Sequence, residues 1–531
     1  MNKPTQQYTP RLQYLVDNHC QAHLINGLKG IEKESLRISQ QGSIAQTNHP
    51  AALGAALTHP HITTDYSEAL LEFITPPLAD IKDALMFLEE IHQFVYGHLG
   101  NDMLLATSMP CGINGDESIR IAEYGSSNIG QMKHAYRRGL WHRYGRSMQT
   151  IAGIHFNYSV PEGLWPVLQK QSKSKKNRQD FKSDAYFGLI RNFQRQGWIL
   201  LYLFGASPAI CQQYFKDCPQ LMNQFDAFDD HTLYAPYATS LRMSDVGYQS
   251  KNQAGLNIDY NSLDCYVDSL GRAIETPYAA YQSMGTKKGD EYLQLNTNIL
   301  QIENEFYNSI RPKQPPHSGE KPTLALKRRG VKYVEIRSLD LDPFNPIGID
   351  EQRGRFLEAF LLNCLMQDSP IQTEHEQQIN AANQLTVAYQ GRRPCLELDK
   401  NGESIVMTDW AYQILSSMQP ICDVLDQNTT EKPYTSALQQ QFALIADTEL
   451  TPSARILAEM KTHQQSFANF GLNISSAFQH MVQQKKLSAM RQQHFEQLAK
   501  NSHDKQKEIE RADNVSFDQF LSQYFSQKQD C

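Results

Sequence analysis

The chain has 531 residues, of which 40% are hydrophobic and 20% charged, and its formal net charge is −7. This composition is typical of a globular protein with a large core, excludes a disordered chain and argues against nucleic acid as the main partner. By length the chain could hold two to four domains or a single large catalytic body with appendages.

The cysteine pattern and the apolar segments favour a cytoplasmic protein with no membrane partner. The N-terminal residues lack an apolar core of the secretory type. The strongest apolar run, 198–210, is interrupted by glycine and proline and is too short to cross a bilayer. The nine cysteines are scattered and never spaced as CxxC, which disfavours a disulfide framework or a zinc site.

Helices and a strand are predicted in the first third of the chain. Apolar residues at near-helical spacing predict a helix within residues 9–28, leading into a strand, and an amphipathic helix over 81–98. Residues 150–160 instead alternate with period two, which predicts a half-buried strand whose polar face carries His155. A single histidine of this kind is more often a hydrogen-bonded strand residue than a metal ligand.

Further along, the lysine-rich segment 170–182 is predicted to be a solvated loop and not a nucleic-acid patch. Residues 293–307 alternate again, which predicts strand structure with Glu303, Glu305 and Tyr307 on one side. The last third of the chain has helical spacing and shows no site chemistry.

These elements predict an α+β fold. Strands with one apolar and one polar face, mixed with amphipathic helices, indicate an antiparallel sheet backed by helices, with its open face as the working surface. We expect a catalytic body over residues 1–365 and a mainly helical C-terminal region over 366–531 that packs on it.

Three strand-like segments carry carboxylates on one face. Their acids are Glu32 and Glu34, then Glu68 and Glu72, and finally Glu335. Carboxylates gathered on one face repel one another and are costly to desolvate unless cations lie between them. Oxygen ligands suit a hard ion, so the pattern favours magnesium held together with substrate phosphates.

Each segment also has a purely structural interpretation. The first pair could line an exposed strand edge, and the second pair fits a solvated helix face equally well. The third acid could form a surface ion pair with Arg337, worth about 0 to 1 kcal/mol. Arg242 fits a structural ion pair as readily as a carboxylate clamp. The coincidence of acids, amides, tyrosines and arginines on several non-core faces favours a site.

The common nucleotide and hydrolase motifs are absent from the sequence. It contains neither GxxxxGK[ST] nor a GxGxxG that opens a βαβ unit, so a nucleotide would have to be held through metal and side chains. HExxH and GxSxG are missing too, which argues against the common metalloproteases and serine hydrolases.

Longer strings resemble the proteobacterial type of the glutamate–cysteine ligase family. The resemblance runs in order from about residue 24 to about residue 365 and continues more loosely to the end. The strings that carry it include GIEKESLR at 30–37, EALLEFITP at 68–76, SMPC at 108–111, YLFGASPA at 202–209, PYATSLR at 236–242, QIENE at 301–305 and EIRSLD at 335–340.

This resemblance implies ATP-dependent joining of the γ-carboxylate of L-glutamate to L-cysteine through γ-glutamyl phosphate, the first step of glutathione synthesis. It also implies a glutamine-synthetase-like sheet bent into a funnel, and feedback inhibition by glutathione. We expect a monomer, although an oligomer stays open. Two alternatives remain: a ligase that joins glutamate to another amine, and a non-catalytic sensor of amino acids and metal.

The resemblance further implies roles for single residues. Two or three Mg²⁺ ions that bridge the ATP phosphates would be bound by Glu32, Glu34, Glu72, Glu335, His155 and Asp65. The catalytic residues would be Arg337, Arg137 and Glu335, with both arginines neutralising the transferring phosphoryl group. The α-carboxylate of glutamate would be held by Arg242. The cysteine pocket would comprise Tyr136, Gln149, Tyr248 and Tyr307.

One departure from the family concerns Cys111 in the SMPC string. Some relatives carry a second cysteine, after the position of Trp165, that can pair with it. Here the lysine-rich segment takes that place, and no cysteine occurs between Cys111 and Cys211. Redox control through such a local bridge is therefore not expected.

Overall fold

An antiparallel sheet backed by helices forms the centre of the computed structural model, which describes residues 8–247, 253 and 255–527. The helices are α1 (Pro10–Asp17), α2 (Ile81–Tyr96), α3 (Asn128–Tyr144), α4 (Leu164–Gln171), α5 (Arg178–Gln196), α6 (Trp198–Phe204), α7 (Leu263–Glu275), α8 (Ala279–Met284), α9 (Pro322–Arg329), α10 (Glu351–Met366), α11 (Glu374–Gln390), α12 (Met407–Leu425), α13 (Pro433–Ala446), α14 (Pro452–Thr462), α15 (Phe467–Gln484), α16 (Ala489–Ala512) and α17 (Phe517–Ser526). The strands are β1 (Leu28–Ile38), β2 (Ile62–Thr64), β3 (Leu70–Ile74), β4 (Met103–Leu104), β5 (Ile154–Ser159), β6 (Ala209–Cys211), β7 (Asp226–Ala227), β8 (Thr232–Tyr234), β9 (Lys287–Lys288), β10 (Glu291–Tyr292), β11 (Ile310–Lys313), β12 (Tyr333–Leu339), β13 (Glu397–Lys400) and β14 (Glu403–Val406).

Within the described ranges the central sheet has seven strands, in the order β11-β12-β5-β1-β3-β2, with β4 paired to the end of β1. Every pairing in it is antiparallel. β1 is the longest strand, at 11 residues, and pairs on both edges. The α+β fold expected from alternating and helical patterns is confirmed.

The pattern of the sequence located several elements well. The helix expected over 81–98 is α2, which begins after Asp80, whose side chain accepts a hydrogen bond from the Lys82 amide. The strand expected over 150–160 is β5, and α1 leads through a short 3₁₀ turn into β1. These segments follow their local pattern because each has one face against the core.

One expectation for the middle of the chain is wrong, and a second holds only in part. Residues 293–307 are mostly irregular and end in a 3₁₀ turn, Glu303–Glu305. There the carboxylate of Glu305 lies 2.9 Å from Arg143, with both side chains fully buried, and Gln294 accepts from the same arginine. The amides and acids satisfy a buried cation and loop backbone, so they do not alternate across a sheet.

The lysine-rich segment 170–182 is also more ordered than expected. α4 and α5 reach into it and leave a connection of six residues, 172–177. Asn177 caps α5 by accepting from the amide of Asp180, which starts a helix inside the polar run. Lys173, Lys175 and Lys176 lie exposed in the connection, whereas Lys182 of α5 pairs with Glu162 and its side chain is only 13% exposed. The solvated loop is therefore confined to residues 172–177.

The back face of β1 carries charges as well as the front, which the one-sided pattern did not predict. Lys29 Nζ lies 2.8 Å from Glu358 Oε1 of α10, and Lys33 Nζ lies 2.7 Å from His92 Nε2 of α2. Burial lowers the pKa of Lys33 to about 7. Because a buried charge needs a partner, these contacts fix where the helices sit on the sheet.

The helices that follow Met366 pack against the preceding body at several places. α13 contacts α10, α15 contacts α2 and β4, and α17 contacts α3. A short hairpin of β13 and β14 lies among these helices. The division at residues 365 and 366 stays a prediction. Among the described residues, we find no helix that is both long and apolar enough to span a bilayer.

We expect the substitution Glu358→Gln to lower the free energy of unfolding by about 3–5 kcal/mol, because it leaves the Lys29 ammonium buried without a counter-charge. The two side chains are 3% and 1% exposed, and Tyr434 donates a further hydrogen bond to the same carboxylate. Urea denaturation measures the change.

The matched control is Asp184→Asn, which breaks an ion pair with Lys176 whose side chains are 57% and 43% exposed. That change should cost at most about 1 kcal/mol. An equal loss of unfolding free energy in the two variants would show that the Lys29–Glu358 pair does not hold α10 on the sheet.

Candidate active site

A cavity of about 470 Å³ opens on the polar face of the central sheet. Its walls come from strands of the sheet, from α3, and from residues 314–322, which comprise the loop after β11 and the first residue of α9 and are called the 314–322 loop below. The residues singled out from the sequence that line it are Glu32, Glu34, Asp65, Glu72, Tyr136, Arg137, Gln149, His155, Tyr307, Glu335 and Arg337. Tyr248 lies outside the described residues.

The strand register brings the acids together. Glu32 of β1 lies directly opposite His155 of β5, and Glu34 lies opposite Glu72 of β3. Glu335 of β12 lies on the other side of β5. Since directly opposed side chains in antiparallel strands stand about 5 Å apart at Cβ, the pairing alone gathers these groups in one place.

His155 sits between the glutamates. Its Nδ1 lies 3.2 Å from Glu32 Oε2, and its Nε2 lies 3.5 Å from Glu34 Oε1. One potential ligand atom from each of Glu32, His155 and Glu335 lies within 4.8 Å of the others. This set can hold a divalent cation, and it combines carboxylate oxygen with one imidazole.

Glu72 carries the clearest sign of uncompensated charge. Burial, together with Glu32, Asp65 and Glu34 nearby, raises the pKa of Glu72 well above its usual range. Burial also raises the pKa of Glu34, although His155 partly offsets it. A cation placed among these carboxylates would remove both the repulsion and much of the desolvation cost.

Glu335 is surrounded by cations instead. Burial alone would raise its pKa, but Lys313 and Arg337 outweigh burial and hold the pKa of Glu335 well below its usual range. Lys313 Nζ lies 3.1 Å from Oε1, and Arg337 NH1 lies 3.0 Å from Oε2. The same Arg337 NH1 is 3.5 Å from His155 Nδ1, so the arginine joins the acid cluster directly.

α3 supplies a second positive edge. Arg137 donates to the main-chain carbonyl of Asp65, and its guanidinium lies 4.7 Å from the ring centre of Tyr124. Lys133, one turn earlier, lies 4.9 Å from the same ring centre. Burial, with Arg137 nearby, lowers the pKa of Lys133 to about 8. The two cations therefore face the acids of the sheet across the cavity.

A polar and aromatic corner lies near the end of α3. Gln149 Nε2 donates to the hydroxyl of Tyr307 at 2.8 Å, and the Tyr307 ring packs edge-on against Tyr144. Tyr136 lines the same cavity from α3. Three of the residues assigned to the cysteine pocket thus share one cavity with the acids.

Two residues considered from the sequence lie elsewhere. Glu68 accepts hydrogen bonds from the amides of His49 and Glu123 and does not line the cavity. Arg242 is buried behind the cavity wall, and its NH2 donates to the carbonyl of Arg337. A side chain at Gly153 would collide with this guanidinium, so the glycine permits the close approach.

Several cavity residues escaped the sequence analysis. Lys133 precedes Arg137 by four residues, a spacing that places both on one helix face. Arg311 and Lys313 alternate on β11, and Arg311 pairs directly with Glu335. These spacings are visible in the sequence, but neither α3 nor β11 had been identified as an element. Tyr524 of α17 also lines the cavity, although the C-terminal part showed no site pattern.

The thiols of Cys111 and Cys211 interact with each other in an apolar cluster. Both are free, and burial raises the pKa of Cys111 well above its usual range. A thiol kept protonated is a poor partner in disulfide exchange. The fold thus places Cys211, from a distant segment, beside Cys111. Their apolar surroundings disfavour formation of a disulfide between them.

Comparison with known proteins agrees with this geometry. The family model described as glutamate-cysteine ligase matches residues 12–387. The glutamate–cysteine ligase of Pseudomonas putida KT2440 is 51% identical over 497 residues, 94% of each chain. That of Azotobacter vinelandii is 48% identical over 520 residues, covering 97% of this chain and 98% of the relative.

A solved structure is similar over the same length. The crystal structure of glutamate–cysteine ligase from Francisella tularensis in complex with AMP superposes with a TM-score of 0.88 at 37% identity, covering 94% of this chain and 98% of that one. The funnel-shaped, glutamine-synthetase-like sheet expected from the sequence is confirmed. The chain therefore belongs to the glutamate–cysteine ligase family.

Proposed function

We propose that this protein joins the γ-carboxylate of L-glutamate to the amine of L-cysteine at the expense of ATP, the first step of glutathione synthesis. The observation that carries this proposal is the convergence of buried and half-buried acids from three strands with Arg337, Lys313 and Arg137 in one cavity. Such a set suits the transfer of a phosphoryl group between anions.

We propose that two or three Mg²⁺ ions bind in this cavity. Glu32, Glu34, Glu72, Glu335, His155 and Asp65 would hold them. The raised pKa of Glu72 supports this assignment, because burial and the neighbouring carboxylates of Glu32, Asp65 and Glu34 both disfavour its negative charge, which a cation would stabilise. When bound, Mg²⁺ would neutralise phosphate charge and orient the triphosphate.

In the first chemical step, the cations of the protein would stabilise the negative charge of the transferring phosphoryl group. The γ-carboxylate of glutamate attacks the terminal phosphorus of ATP, ADP leaves with the electron pair of the broken bond, and γ-glutamyl phosphate forms. Negative charge spreads over the transferring oxygens, and Arg337 and Arg137 are the guanidiniums that would face it. Glu335 positions Arg337 through their 3.0 Å contact.

In the second step, the amine of cysteine attacks the acyl carbon, phosphate leaves, and the nitrogen loses a proton. The acceptor must approach from a side that the phosphate does not occupy, and the corner with Tyr136, Gln149 and Tyr307 supplies a small pocket. Its aromatic walls suit a thiol side chain. Tyr248 stays a predicted member of this pocket.

The assignment of Arg242 to the α-carboxylate of glutamate also stays a prediction. In this structure the guanidinium lies behind the wall and donates to the carbonyl of Arg337. Its charge acts on Glu34, whose pKa it lowers in part. A direct contact with substrate would require Arg242 to move into the cavity.

We further propose a cytoplasmic monomer that is inhibited by its pathway product glutathione. The eight cysteines within the described ranges are all free, which fits a reducing compartment. Glutathione contains the γ-glutamylcysteine unit, so it can occupy the two amino-acid pockets at once.

Magnesium should stabilise the protein, and Glu72→Gln should remove much of that effect. Because burial and neighbouring acids raise the pKa of Glu72 in the folded state, this residue lowers the stability as the pH rises above about 4.5, where its carboxyl group ionises in the unfolded chain but not yet in the folded one. At pH 8 the variant should therefore be more stable than the parent without Mg²⁺, by about 0.5–2 kcal/mol. Thermal unfolding with and without Mg²⁺ measures both effects.

Glu68→Gln serves as the matched control, since Glu68 lies four residues away and outside the cavity. It should lower stability by about 1–2 kcal/mol through weakened hydrogen bonds and leave the Mg²⁺ effect intact. An undiminished Mg²⁺ effect in Glu72→Gln would contradict the metal assignment.

ADP release should require Mg²⁺, L-glutamate and L-cysteine together, and Glu335→Gln should reduce it by about 10³-fold because Arg337 loses its anchor. A coupled assay of ADP and dipeptide measures the rate. Full activity with another amine and no gain from cysteine would favour a ligase with a different acceptor. Amino-acid binding without any turnover in the parent protein would favour a sensor.

Arg137 and Arg138 offer a neighbouring pair for testing the phosphoryl step. Arg137→Ala should lower turnover by about 10³-fold, since its guanidinium faces the cavity. Arg138 instead lies 3.1 Å from the exposed Glu291. Arg138→Ala should change turnover by less than about twofold. A similar loss of turnover in the two variants would indicate that the total positive charge of α3 matters, and not the position of Arg137 in the cavity.

A further inference from the structure

The C-terminal helix α17 packs against α3. Leu521 and Tyr524 of α17 form an apolar cluster with Met132 and Ala135 of α3. Tyr136 packs against the same cluster and also lines the cavity. α17 therefore packs against the helix that carries Tyr136 of the proposed acceptor pocket.

The end of α17 also holds the 314–322 loop. Lys321 Nζ donates to the carbonyls of Phe525 and Gln527 at 3.0 and 3.1 Å. Gln527 Nε2 donates to the carbonyl of Gly319 at 2.7 Å. Gly319 lines the cavity, so these bonds connect the C-terminal segment to a second cavity wall.

Tyr524 lies where the two walls meet. It is 8% exposed and lines the cavity itself. Its ring centre is 6.0 Å from Lys321 Nζ, which places it beside the bonds that hold the loop. Glu303, which accepts a hydrogen bond from Thr323 just after the 314–322 loop, raises the pKa of Tyr524 further after burial has raised it.

We propose that Tyr524 is a positioning residue for the acceptor: through Tyr136 and the 314–322 loop, it orients the incoming amino acid and excludes water from the acyl phosphate. This inference rests on the proposed function. If the wall loosens, water can add to the acyl carbon in place of the amine, and phosphate leaves with glutamate regenerated. The expected result is then net hydrolysis of ATP without formation of the dipeptide.

The test compares Tyr524→Ala with Phe525→Ala. Phe525 lies on the same helix and packs on the same cluster, but its side chain does not line the cavity. Tyr524→Ala should raise the KM for cysteine about tenfold and raise the ratio of ADP to dipeptide above one. Phe525→Ala should lower the thermal midpoint comparably and leave the KM and the ratio unchanged.

Gln527→Ala provides a second variant at the chain surface, in case Tyr524→Ala does not fold. It removes the bond to Gly319 and should also raise the ratio of ADP to dipeptide. A ratio of one and an unchanged KM in Gln527→Ala and in folded Tyr524→Ala would overturn the inference.

Tyr136→Ala distinguishes this failure from failure of the proposed function. A raised KM for cysteine in Tyr136→Ala, with none in Tyr524→Ala, would overturn only the role of Tyr524. An unchanged KM in both would overturn the acceptor pocket and, with it, the inference that rests on that pocket.

Discussion

The burial of several carboxylates on one face of a sheet is the constraint on which the rest of this structure depends. Each carboxylate is costly to remove from water, and neighbours of like charge add to the cost. The protein compensates Glu335 with Lys313 and Arg337 but leaves Glu72 among other acids. Functional sites often retain such an imbalance at some loss of stability. Here the imbalance is excess negative charge, which a bound divalent cation would relieve.

Charges on the opposite face of β1 complement this arrangement. Lys29 and Lys33 point away from the cavity and meet Glu358 and His92 on two different helices. Because each contact is buried and specific, the helices are attached to the same strand that carries Glu32 and Glu34. The alternation of a strand thus serves two purposes, with acids toward the ligand and bases toward the scaffold.

The cavity is also closed by segments far apart in sequence. α3 contributes cations and Tyr136, the 314–322 loop contributes one side, and α17 joins the two. α17, which begins 182 residues after Glu335, thereby becomes part of the cavity wall. The C-terminal region is more than a support for the sheet, since the side chain of Tyr524 lines the cavity.

The sequence by itself determined the family, the α+β class and the strands that carry the acids. It could do so because alternation along a strand is local: Glu32 and Glu34 share a face wherever β1 lies. It also located α2 and β5, each of which has one apolar face. The same alternation wrongly predicted a strand over residues 293–307. There the polar side chains form hydrogen bonds and an ion pair with Arg143 and hydrogen bonds with loop backbone, and they do not line a sheet.

Only the tertiary structure decided which groups meet. Strand register placed His155 between Glu32 and Glu34, and the fold of distant segments brought Lys313, Lys133 and Tyr524 to the cavity. The tertiary structure also placed Arg242 behind the cavity wall, where it donates to the carbonyl of Arg337. The physical reason is that periodicity specifies the face on which a side chain lies, whereas its partner depends on register and on loops whose geometry no local pattern encodes.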